Sequence, residues 1–108
     1  MSCQCKEKLS GELSEAEIST LFRALASEKR RVVIDFLAEE HPAPVNQSIV
    51  VAEVAGTINE DHSQVALELV HNHFPFLSDA GLIRFEPTKS QITYAGGEWP
   101  AKILDYLW

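Results

Sequence analysis

Leu77-Ser78-Asp79-Ala80-Gly81-Leu82-Ile83-Arg84-Phe85-Glu86 is the stretch in which the repeat of the chain changes. Upstream of it, Ala66, Leu69, Val70, His73, Phe74 and Leu77 recur at helical spacing and share one face. Downstream, Leu82 to Glu86 and Gln91-Ile92-Thr93-Tyr94 are short, β-branched and aromatic, with Pro87-Thr88-Lys89-Ser90 as the turn between two strands. Gly81 stands at the changeover, where a helix end favours a residue free to turn left-handed. The helix opens at Asp61-His62-Ser63-Gln64, with Gln at the capping-box position. Pro75 falls inside its pattern and is expected to kink it, because the ring displaces the carbonyl four residues back.

Towards the N-terminus the same reading gives three more helices. Ser14-Glu15-Ala16-Glu17 is a capping box, and Ile18, Leu21, Phe22 and Leu25 form one apolar stripe, so 14–26 is helical. Ser27 caps a second helix to about Glu40, with Val32, Val33, Phe36 and Leu37 inward, stopped by His41-Pro42-Ala43-Pro44. Asn46 caps a third, burying Val50, Val51, Val54, Ala55 and Ile58 and fraying over Gly56-Thr57-Ile58-Asn59. Beyond the hairpin, Gly96-Gly97 breaks the chain, and Pro100 suits the first turn of a last helix. The expected architecture is mainly α with a small β-hairpin: a winged helix-turn-helix of four to five helices plus a two-stranded wing. It divides into a loose tail (1–13), the winged domain (14–95) and a C-terminal dimerisation helix (96–108).

At 108 residues the chain fits one domain with one modest core, and is too short for a barrel or two-domain dinucleotide enzyme. No apolar run approaches the roughly 20 residues of a spanning helix, and no apolar stretch follows the N-terminus as in a secretory signal. A soluble, cytoplasmic protein without a membrane partner is expected. Nucleophile-elbow, phosphate-loop and zinc-protease motifs are missing, so neither an enzyme nor a cofactor is expected. Nine Lys and Arg against 16 Asp and Glu give a net charge of −7. That balance opposes simple electrostatic attachment to DNA, unless a basic patch is localised or high internal salt is the native condition.

Two motifs point to a family. Leu21-Phe22-Arg23-Ala24-Leu25-Ala26-Ser27-Glu28-Lys29-Arg30-Arg31 resembles the opening of ArsR-like winged-helix regulators. His73-Phe74-Pro75-Phe76-Leu77-Ser78-Asp79-Ala80-Gly81-Leu82-Ile83 resembles the exit of their recognition helix into the wing, in a variant similar to a subfamily of halophilic archaea and their viruses. The resemblance spans about residues 14–95 and implies a transcription regulator that binds double-stranded DNA as a homodimer. It also implies that the first and last helices build the dimer, through Ile18, Leu21, Phe22, Trp99, Ile103, Leu107 and Trp108. The family's metal-sensing cysteine cluster has no counterpart here.

On that footing Ser63, Gln64, His71 and Asn72 are the candidates on the recognition helix, with Gln64 and Asn72 suited to adenine edges. Segment 60–74 holds no Lys or Arg, and Glu68 sits badly near phosphates. Phosphate contacts fall to Lys29, Arg30 and Arg31 at the start of the second helix and to Arg84 and Lys89 in the wing. The plainer reading of Arg31 is a surface pair with Asp35. His73 lies on the apolar stripe and reads as a satisfied core histidine. Cys3 and Cys5 are a weak metal or redox pair, since one intervening residue is tight for zinc. An acidic winged helix that docks a protein partner, without binding DNA itself, is the alternative function.

Overall fold

The computed structural model describes residues 14–107, without the side chains of Ala101 and Leu107. The tail 1–13 with Cys3 and Cys5, and Trp108, lie outside the described residues. Helix α1 (Glu15–Leu25) begins with both halves of the box: Glu17 N–H donates to Ser14 Oγ at 3.1 Å, and Ser14 N–H to Glu17 Oε1 at 2.8 Å. Leu21, Ala24 and Leu25 face inward, while Phe22, at the edge of the stripe, is 52% exposed. Ser27 caps α2 (Glu28–Glu40), which buries Val32, Val33, Ile34 and Leu37. Helix α2 is central, packing on α1, on α3 (Gln47–Ile58), on strand β3 (Gln91–Tyr94) and on α6 (Trp99–Leu107).

The sheet has three strands where the sequence suggests two. β1 (Val45–Asn46) pairs antiparallel with β3, which pairs with β2 (Ile83–Glu86), in the order β1-β3-β2. Val45 lies opposite Ile92, and both are buried. Asn46 serves twice: it pairs with Gln91 and caps α3, its side chain accepting from Ser48 N–H at 2.9 Å. The predicted hairpin is present, with Ile83 opposite Tyr94 and Phe85 opposite Ile92.

Helix α3 does not fray at Gly56. It runs to Ile58 and ends on Asn59, whose left-handed backbone (φ 58°) starts a tight turn. Asp61 then caps α4 (His62–Glu68), accepting from Gln64 N–H at 3.0 Å. Only this half of the expected box forms, because the Gln64 amide reaches forward to Glu68 Oε2 at 3.1 Å.

Pro75 acts differently from a simple kink. Leu69–His73 is a π turn, in which Phe74 N–H bonds the Leu69 carbonyl five residues back, and α5 (Phe74–Asp79) follows directly. Proline lacks an N–H and excludes the carbonyl four residues back; the wider turn shifts the ladder so that the helix continues past it. Helix α5 closes as expected, with Gly81 at φ 78° and Leu82 N–H bonded to the Leu77 carbonyl at 2.9 Å. Among the described residues no helix is long and apolar enough to cross a membrane.

Candidate nucleic-acid interface

Helix α4 carries Ser63 and Gln64, and the π turn that continues it carries His71 and Asn72. Val65 and Leu69 are fully buried and anchor it to the core. Ser63, Gln64, Leu67 and His71 are exposed on or beside the opposite face, and Asn72 is exposed in the π turn. Leu67 is not marked in the sequence, because an apolar stripe marks only the buried side of a helix. It is 54% exposed.

The cations of α2 are engaged within the chain. Lys29 Nζ lies 3.0 Å from Glu68 Oε1 and 3.3 Å from Glu60 Oε1, tying α2 to α4 and to the turn before it. The Glu68 carboxylate holds the Lys29 ammonium above its ordinary pKa, with Glu60 adding to the effect against the cost of burial. Glu68 is in turn held low, first by the Gln64 amide and then by Lys29. Glu68, the acidic group ill-placed for phosphate, thus shares one ammonium with Glu60, which leaves the three groups with one negative charge in excess.

Arg30 Cζ lies over Phe76, 4.4 Å from the ring centroid, and Nη2 donates to the Arg23 carbonyl at 3.3 Å. Its Nε is buried with no hydrogen-bond partner among the described residues, and burial lowers its pKa without discharging it. Arg31 Nη1 donates to the Leu25 carbonyl at 2.8 Å. Arg30 therefore works as much by packing as by charge. Arg30→Met should leave stability unchanged to within about 1 kcal/mol, or raise it, because the thioether keeps the contact with Phe76 and removes the buried Nε. Thermal unfolding checks this, and a fall of more than about 8 °C, beyond what about 1 kcal/mol produces in a domain of this size, would show that the guanidinium itself is needed.

His73 is half-buried on the apolar stripe as expected, but it is not satisfied: Nδ1 is buried without a partner among the described residues. Burial lowers its pKa, and the charges of Arg30 and Lys29 lower it further against the pull of Glu68. The folded chain therefore disfavours the imidazolium. Stability is complete above the ordinary pKa of 6.5 and declines as pH falls below it. In urea titrations at pH 7.5 and 5.5, the His73→Gln chain should lose less on acidification than the parent. Equal losses would exclude His73 as the source.

The wing presents its cations outward. Arg84 is exposed on β2, opposite Thr93. Lys89, in the turn, is exposed and lies 3.7 Å from Glu86. Of the candidate dimer residues, Leu21 is buried in the chain's own core, whereas Ile18, Trp99 and Ile103 are half-buried and Phe22 is open. The Leu107 side chain and Trp108 lie outside the described part. A groove of about 390 Å³ between α1 and α6 is lined by Thr20, Leu21, Leu82, Trp99 and Pro100, among others. Tyr106, which the sequence reading passed over, is 90% exposed. No group of three or more His, Cys, Asp or Glu suited to a metal occurs among the described residues.

A mainly helical chain with a short helix-to-helix turn and a small antiparallel sheet is compatible with a winged helix-like fold. Residues 22–93 match the family described as Domain of unknown function (DUF7344), and the chain belongs to that family. The match starts in α1 and ends in β3, taking in α3, α4 and the hairpin and leaving α6 outside. No curated protein and no solved structure matches the chain.

Proposed function

We propose that this chain is a cytoplasmic DNA-binding regulator of transcription of the ArsR-like kind, working as a homodimer. The observation that carries the reading is the α3–turn–α4 unit. The π turn and α5 lead from it into the hairpin, and the outward side of α4 and of the π turn that continues it carries exposed hydrogen-bonding groups. Ser63, His71 and Asn72 are open to solvent, and Glu68 is paired with Lys29, which it shares with Glu60. Such a helix enters a major groove while the hairpin touches the flanking backbone. The open Phe22 and the groove between α1 and α6 support pairing of two copies through those helices. Asn72 is suited to an adenine edge, so Asn72→Ala should cost about 1–3 kcal/mol on the specific duplex and almost nothing on a scrambled one. Anisotropy titrations on both duplexes test this; equal losses on both would remove Asn72 from base reading.

The alternative, a module that docks a protein partner, draws on the net charge of −7 and on the engagement of Lys29 within the chain. Under it no duplex is bound.

A further inference from the structure

Leu67 is an exposed aliphatic side chain on a helix whose core contacts lie on its other side. It is two residues from Val65 and two from Leu69, both fully buried. Two residues are about 200° of helix, so Leu67 sits on the side opposite the core. It is 54% exposed.

Its neighbours select among occupants. The positions one turn away are Ser63, Gln64, Val70 and His71; the three polar ones are exposed, and Val70 is half-buried. A partner protein taking a helix into a groove needs anchors at successive turns, and on this face Leu67 is exposed while Val70, the other apolar residue, is half-buried. A ring of hydrogen-bonding groups around one aliphatic tip fits a different surface. The major groove presents donors and acceptors on its base edges, with the 5-methyl of thymine as its apolar group. The N-terminus of α4 is already capped by Asp61, so contact falls to side chains in the middle of the helix.

Resting on the DNA-binding reading above, we propose that Leu67 is a specificity residue that reads the methyl group of a thymine in the major groove. The contact adds no charge, so it acts on sequence preference and leaves the salt dependence of binding alone.

The test starts from a pool of random-sequence duplexes, from which the full chain selects its binders. In a selected duplex each thymine is replaced in turn by uracil, which removes only the methyl. At one position in each half-site of the dimer the parent chain should lose about three- to tenfold in affinity, the scale of one buried methyl. Leu67→Ala should bind thymine and uracil duplexes alike at that position and keep its discrimination elsewhere. Uracil tolerated by the parent at every position, or a thymine preference that survives in Leu67→Ala, overturns the assignment and leaves DNA binding intact. A pool from which nothing is selected overturns the DNA-binding reading, and the assignment with it.

Discussion

Replacing Phe74 by Ala is expected to cost about 3–5 kcal/mol of folding stability. Phe74 is fully buried and heads the largest core side chains. Its backbone closes the π turn onto Leu69, and its ring lies 5.3 Å from that of Phe85 on β2. One side chain thus joins the end of the candidate recognition helix to the wing. Truncation removes the transfer energy of a buried ring and leaves a cavity that a helix fixed at both ends cannot easily close. A domain of this size holds only about 5–15 kcal/mol in all, so the loss is a large share. Urea unfolding followed by circular dichroism measures it. A cost below about 1 kcal/mol would mean that the region repacks freely.

Removing the two wing cations should have the largest effect on DNA binding. Arg84 is exposed, and the pair of Lys89 with Glu86 at 3.7 Å is a surface contact three residues apart. Such pairs contribute little and leave the ammonium available to a phosphate. Each phosphate contact adds about 0.9 to the slope of log affinity against log salt, so Arg84→Ala with Lys89→Ala should flatten it by about 1.8. Affinity should fall on native and scrambled duplexes alike, since backbone contacts carry no sequence information. An unchanged slope would take the wing out of the interface.

Features written in local spacing were legible in the sequence. Ser14 and Glu17 form the box their spacing announces, Ser27, Asn46 and Asp61 cap the helices they precede, and Gly81 ends α5 left-handed. Features that depend on a distant partner were not. β1 is two residues long, too short to show an alternation, and exists because Val45 finds Ile92 across the sheet. The sequence shows Pro75 but not how the ladder is rejoined around it. Lys29, read as a phosphate contact, meets Glu60 and Glu68 from another part of the chain. The place of His73 on the stripe could be read, whereas the missing partner of its Nδ1 is a property of the packed core. Leu67 was within reach of the same periodicity, as the residue facing away from the buried stripe.

The central claim is that this acidic chain binds specific DNA. Its most direct test is the anisotropy of a labelled duplex taken from just upstream of the protein's own coding sequence, beside a scrambled duplex, across a salt series. The account predicts tighter binding to the native duplex, with affinity falling linearly in log salt. Equal and negligible binding to both duplexes at every salt would contradict it and favour a protein partner.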